Sequence, residues 1–398
     1  MNVSAIISEY NPFHNGHLYH IKKTRDFGTT HIIAIMSGNF VQRGDFAIIS
    51  KLERTKMALL SGIDLVIELP VIWAISSAEF FANAAVKIAN SLGCVDTLSF
   101  GSECNNIELL KKLSTTLEKK ETKSLILEEL KKGVSFPKAR ENVIKHIYGT
   151  ELSDILRSPN NILAIEYIKS LNKINSNINP LTIKRTGSGH DKKLIKDSIS
   201  SASHIRDLIH ENKEYSGLMP KLAAEIIQKN IQEFKAPSNI YSVETAILSK
   251  LRTMNIKDLS NICDVSEGLE NRIYRSIKNA TSLDELYSLI KTKRYPLSRI
   301  RRIILNAFLG ITKQDISSDV PYIRILGFNE NGKQLLKSIK EHSKLPIITK
   351  GADILNLDKS AQHIFRLEQM STDLYNLATP RIQKCGLDIS QKIVIINS

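Results

Sequence analysis

Cysteine is scarce and scattered. The 398 residues hold four, Cys94, Cys104, Cys263 and Cys385, with no C-x-x-C pair. That spacing excludes a disulfide framework and a zinc knuckle, and a reducing, cytoplasmic setting is expected. Long apolar runs are missing too. The most apolar stretch, GIDLVIELPVIWAISSAEFF, is broken by Asp64, Glu68, Pro70 and Glu79 before it reaches the length of a membrane span. The opening MNVSAIISEYNPF carries a short apolar run ended by Glu9, without a basic leader or a small-residue cleavage site, so neither a signal peptide nor a membrane is expected. Internal repeats and low-complexity linkers are also lacking.

What is abundant is positive charge. The formal net charge is +14. It divides unevenly: residues 1–215 carry a surplus of five basic groups and the shorter stretch 216–398 a surplus of nine. Within the latter, KTKRYPLSRIRR places Lys291, Lys293, Arg294, Arg299, Arg301 and Arg302 around one aromatic, Tyr295, with no acid. Such a run is either a solvated face or a contact for nucleic-acid phosphates, and overall basicity favours the second.

Residues 1–215 alternate β-rich runs with helical periodicity, the pattern of an α/β, Rossmann-like parallel sheet covered by helices. Strands are expected at 3–8, 31–37, 64–69, 96–101 and 181–185. Ser50 and Ser77 stand where N-caps belong, and Gly62 and Gly93 where helices end. A basic and acidic stretch at about 106–150 reads as a helical insertion. Beyond residue 216 the pattern is mainly helical, with short strands at 322–328, 345–350 and 392–397. Two units follow, 1–215 and 216–398.

In a doubly wound sheet, ligands bind beyond the carboxyl ends of the strands. The first strand runs there into EYNPFHNGHLYH, which brings His14, His17 and His20 to the start of a helix beside Gly16. Gly16 permits close backbone approach, and first-turn amides point at an anion. A metal site is the other reading of three histidines, but no carboxylate or cysteine ligand stands at a customary spacing. Much later, SISSASHIRDLI supplies Ser201, Ser203 and Arg206 at a second loop-to-helix junction. Hydroxyls, helix amides and a guanidinium there suit pyrophosphate.

H-x-G-H followed by this second segment resembles the signatures of the nucleotidyltransferase and class I synthetase superfamily, with Ala202 where a serine is customary. EYNPFHNGHLYH, IMSGNFVQRGDFAIISKLERTKMAL, GIDLVIELP, LSFGSE, RSPNNILAIEYIKSL and YIRILGF together resemble the tRNA(Met) cytidine acetate ligase family over most of the chain. The resemblance implies ATP and Mg²⁺, acetate activated as acetyl-adenylate, and acetyl transfer to N4 of the wobble cytidine of elongator tRNA(Met). No obligate protein partner is evident. It implies catalytic roles for His14 and His17. It also implies ATP contacts from Ile7, Ser8, Glu9, Tyr10, Asn11, Pro12, Phe13, His14, Asn15, Gly16, His17, Leu18, Tyr19 and His20, and from Gly101, Asn161 and Arg185. Physically, Gly101 and Arg185 end strands at the ligand edge, and a side chain at 101 would block a nucleotide. Asn161 either caps a helix or presents its amide to adenine. Arg43, Lys51 and Arg54 are further candidate phosphate-facing cations.

Attack by acetate at the α-phosphorus needs charge neutralisation rather than a general base, so the lack of an evident nucleophile or acid–base triad fits. The amine of cytosine would then attack the mixed anhydride with its base splayed into the site. A small-molecule adenylyltransferase shares both signatures but leaves the basic region of 216–398 without a task. A non-catalytic RNA-binding protein would not be expected to keep His14, Gly16, His17, Ser201 and Arg206 together. A class I aminoacyl-tRNA synthetase would carry a K-M-S-K-S-like loop, which is absent.

Overall fold

The computed structural model describes residues 1–185, 199–266 and 268–397. Ten strands occur among them: β1 Val3–Ser8, β2 His31–Ser37, β3 Phe40–Val41, β4 Asp45–Phe46, β5 Leu65–Leu69, β6 Thr97–Ser102, β7 Asn179–Lys184, β8 Ile323–Phe328, β9 Ile347–Ile348 and β10 Val394–Ile395. The main sheet has the order β10-β8-β5-β2-β1-β6-β7, with β9 on the outer side of β8; β3 and β4 form a separate hairpin. From β1 the chain steps to β2 on one side and later to β6 on the other, so strand order reverses at β1. The crevice beyond the carboxyl ends of β1 and β6 is therefore the place for a ligand.

Strand sequences explain their depth. Every residue of HIIAIMS in β2 is buried, as is every residue of LVIEL in β5, the continuous apolar run of a sheet covered on both faces. Ser50 caps the helix Lys51–Leu60 by accepting from the Glu53 amide at 3.4 Å, whereas Ser77 takes the N-cap position of Ala78–Ser91 without a side-chain bond. Gly62 and Gly93 adopt φ of +105° and +71°, which a Cβ would strain. The helices Ile107–Glu118, Lys120–Lys131 and Phe136–Tyr148 fill the expected insertion between β6 and β7.

Two features depart from the sequence pattern. The sheet is mixed, because β8 runs antiparallel to β5. And residues 216–398 supply more than a helical body: β8, β9 and β10 extend the sheet begun by residues 1–215. Alternation of β and α segments carries no information on which distant strands pair. One apolar core accordingly runs from the sheet (Ile35, Ile67) through Ile247, Ile273 and Ile303 of the later helices. No helix among the described residues is long and apolar enough to cross a membrane.

A buried ion cluster sits on this junction. Lys51 Nζ lies 2.6 Å from Glu68, 3.2 Å from Glu368 and 2.5 Å from Asp388. Arg324 Nη1 lies 2.9 Å from Glu68 and 2.6 Å from Asp388. Glu368 also accepts the Val71 amide at 2.6 Å. Burial would lower the Lys51 ammonium and raise the Asp388 carboxyl, but the mutual charges win: Lys51 is raised and Asp388 held at about 2. Burial and the Glu68 charge push Glu368 up to about 8.

Lys51→Ala would leave the buried acidic groups with Arg324 as the one cation of the cluster and is expected to cost about 3–5 kcal/mol. The raised Glu368 pKa means that its proton favours the folded state. That contribution is complete below the ordinary carboxylate range and is lost as pH rises toward about 8. Glu368→Gln should therefore flatten the stability profile between about pH 5 and 8, where the native chain loses up to about 1.4 kcal/mol per pH unit. Urea unfolding of both proteins across that range measures the difference; parallel profiles would contradict a protonated Glu368.

Candidate functional site at the carboxyl ends of β1 and β6

The loop after β1 is clamped from several sides before any ligand is considered. Glu9 Oε1 accepts the Gln42 amide at 2.8 Å, and Asn11 Oδ1 accepts the Ile48 amide at 2.8 Å. The fully buried Arg54 donates to the carbonyls of Glu9 (2.6 Å), Ser37 (3.0 Å), Ile49 (3.1 Å) and Gly38. From the other side Arg206 Nη1 donates to the Asn11 carbonyl at 2.8 Å, while its Nη2 holds Ser203 Oγ at 3.2 Å. Tyr10, at φ +46°, and Phe13 bury their rings against His17, with centroids 4.9 and 5.5 Å away. Arg54 and Lys51 thus face inward: one ties together the ends of β1 and β2, the other belongs to the ion cluster. Neither is a phosphate-facing cation.

On this platform the helix Asn15–Asp26 begins with an unusual cap. His14 is its N-cap, and Nδ1 of His14 accepts the Gly16 amide at 3.0 Å. Nδ1 of His17 accepts the His14 amide at 3.2 Å. Both Nδ1 atoms are therefore acceptors, the proton of each neutral ring sits on Nε2, and a second proton would set two donors face to face. The rings stack at 3.8 Å. Burial, then the charges of Arg185 and Arg206, push His14 down to about 3; burial and the neighbouring His14, Arg185 and His20 push His17 far down as well. His20, at about 4 from burial and Arg185, bonds Ser99 Oγ at 2.9 Å. Gly16 has a local reason: a Cβ there would lie 2.8 Å from His14 Cε1 and displace the ring.

His14, Gly16, His17, Tyr19, His20, Gly101, Arg185 and Ser201 line one cleft, so residues far apart in sequence meet there. Ser201 caps the helix Ala202–His210 through the His204 amide at 3.2 Å, which aims that helix's first turn at the cleft. A Cβ at Gly101 would fall 2.9 Å from Arg185 Cγ, so the missing side chain seats the arginine stem. Asn161 is elsewhere. Its Oδ1 accepts the amides of Glu103 (2.9 Å) and Cys104 (3.1 Å), and its Nδ2 donates to the Ile155 carbonyl at 3.1 Å. It is not the helix cap, which is Ser158, and these three bonds pin the loop after β6. Ser198, at the head of the second signature, and TGSG after Arg185 lie outside the described residues. No group of three or more His, Cys, Asp or Glu that could hold a metal occurs among the described residues.

The basic run 291–302 is not one uniform face. Lys291 and Lys293 are exposed. Arg302 pairs with Asp264 at 2.8 Å, and Arg299 donates to the Asp264 carbonyl (2.9 Å) and Ser266 Oγ (2.8 Å). Arg301 lies over the Tyr287 ring at 5.7 Å. The β3–β4 hairpin abuts the helix Leu297–Leu309 so closely that a Cβ on Gly44 would come 2.5 Å from the Arg302 amide. Asp45 of the hairpin, its carboxyl raised by burial, faces Arg206, Arg301 and His210, and Arg43 bears electrostatically on Arg185 and Arg206. The cleft and the helical body therefore meet at this hairpin. Sequence reasoning missed Glu103 and Asn160, which stand inside the FGSE and SPNNILA stretches; no spacing rule marks them, because Asn160 bonds Arg185 and Glu103 bonds Asn160, each across a long sequence separation.

Comparison with known proteins agrees with this geometry. The model of the HIGH Nucleotidyl Transferase family matches residues 1–388. The chain is 45% identical to the tRNA(Met) cytidine acetate ligase of Thermoanaerobacter sp. (strain X514), covering 99% of this chain and 100% of the relative. It is 43% identical to the enzyme of the same name from Clostridium kluyveri, covering 99% of each. The crystal structure of Thermotoga maritima TmcAL bound with alpha-thio ATP superposes with a TM-score of 0.93 at 35% identity over the whole of both chains, and the apo form with 0.94. With its two signatures in one cleft and its relatives matched end to end, the chain belongs to the tRNA(Met) cytidine acetate ligase family of HIGH nucleotidyl transferases.

Proposed function

We propose that this protein is an ATP-dependent ligase of the cytoplasm that activates acetate as acetyl-adenylate and acetylates N4 of the wobble cytidine of elongator tRNA(Met). The observation that carries the reading is the pair of neutral, stacked imidazoles whose Nε2–H groups are left free to donate into a cleft bordered by Arg185 and a helix N-terminus. ATP suits that cleft: Nε2–H donors and first-turn amides meet phosphate oxygens, and Arg185 and Arg206 offset their charge. Because the donors are fixed before the substrate arrives, little reorganisation is needed as charge builds at the α-phosphorus. Acetate attacks as a carboxylate and pyrophosphate leaves. The cytosine amine then attacks the acetyl carbonyl, AMP departs and the amine loses a proton. Mg²⁺ would accompany the ATP phosphates. The body of 216–398 would hold the tRNA, with Lys291 and Lys293 on its phosphates.

The deciding experiment is incubation with labelled acetate, ATP and total tRNA, followed by nucleoside analysis. Label is expected in N4-acetylcytidine and requires ATP; label elsewhere, or none, rejects the reading. His14→Ala and His17→Ala should each slow acetyl-adenylate formation by about 10²–10³-fold, roughly 3–4 kcal/mol, in a protein that stays folded but loses about 1 kcal/mol of stability with the helix cap. Since both rings are depressed far below the usual histidine range, the adenylation rate should show no inflection near pH 6.5, and protonation should diminish it only in strong acid. An inflection that His14→Ala removes would refute the neutral-donor assignment.

Neutralising Lys291 and Lys293 together should lower the log–log salt slope of tRNA binding by about 1.4–1.8, at about 0.7–0.9 per lost contact, and leave acetyl-adenylate synthesis unchanged. An unaltered slope would place the tRNA path elsewhere.

A further inference from the structure

We infer that Asn160 and Glu103 are positioning residues that aim the Arg185 guanidinium at the nucleotide phosphates, an inference that rests on the reading of Arg185 as a phosphate contact. Arg185 stands at the end of β7, where its donors could adopt many rotamers and where holding one has an entropic cost. Its Nη1 donates to Asn160 Oδ1 at 3.1 Å. Asn160 Nδ2 donates to Glu103 Oε1 at 2.6 Å, and Glu103 Oε2 accepts the Asn161 amide at 2.9 Å.

The direction of this chain is dictated by chemistry. A carboxylate only accepts, so the Asn160 amide must turn its NH₂ toward Glu103 and its carbonyl toward Arg185. One edge of the guanidinium is thereby held, and its remaining donors stay available to the cleft. Gly101, which seats the arginine stem, fixes the other end of the side chain. The Glu103 carboxylate also attracts Arg185, while Arg43 repels it. Glu103 itself is immobilised by the pair of bonds it and its amide make with Asn161.

A purely structural role for Asn160 is separable, because Asn160→Ala leaves both Glu103–Asn161 bonds in place. In acetate-dependent exchange between pyrophosphate and ATP, Asn160→Ala should raise the KM for ATP about tenfold, within the range of coupling between residues in contact. Its melting temperature should be unchanged and its kcat affected far less. On an Arg185→Ala background the same substitution should add nothing further. An equal effect on both backgrounds would overturn the relay, as would an unchanged KM in Asn160→Ala when Arg185→Ala alone is impaired. If Arg185→Ala has the native KM for ATP, the phosphate role of Arg185 fails and the relay falls with it, an outcome distinct from failure of the relay alone.

Discussion

Lys51 is 3% exposed and has no water to turn to. Its charge is tolerable only where carboxylates from Glu68, Glu368 and Asp388 meet it, and those residues come from β5, from the helix Lys359–Asn376 and from the short helix Leu387–Ser390. A buried cation of this kind is an all-or-none requirement, since breaking one partner strands the others. It joins the end of the chain to the sheet formed by its beginning. With β8 laid antiparallel on β5, it makes the first two hundred residues and the last seventy-five one packed body.

The site inherits its rigidity from that body. Gly38, at the end of β2, leaves room for Glu68 and Glu368 on one side, while its carbonyl accepts from Arg54. Arg54 in turn holds the carbonyl of Glu9, at the root of the histidine loop. Each link replaces water around a strand end with a protein donor, so the carboxyl ends of β1 and β2 are braced where the cleft beyond β1, β6 and β7 begins. There the backbone amides of His14 and Gly16 are satisfied by the imidazoles. The same two bonds that complete the helix cap select the tautomers that put the ring proton on Nε2 of two residues lining the cleft. Stability of the helix start and chemistry of the site are one arrangement.

The basic residues show the opposite lesson. Charge counted along a sequence does not say where charge is available. Arg299 and Arg302 lie in the same run as Lys291 and Lys293, yet these two arginines brace the Asp264 loop while the two lysines stand in water. The planar guanidinium with its several donors suits a brace, and the point-charged ammonium does not. Arg54, inside SKLER, is the same case within the sheet.

The sequence alone marked the eight strands of the main sheet but not the β3–β4 hairpin, together with the helix that starts near His14 and the two signatures, because apolar periodicity, capping chemistry and glycine placement act over a few residues. Family resemblance carried Gly101, Asn161 and Arg185 to the ligand edge. Only the tertiary structure decided how these are used. Asn161 bonds backbone amides 57 and 58 residues away, Gly101 makes room for Arg185, and β8 pairs in reverse with a strand some 250 residues earlier. Such contacts join groups with no sequence spacing in common, and their partners are chosen by the packing of the whole sheet.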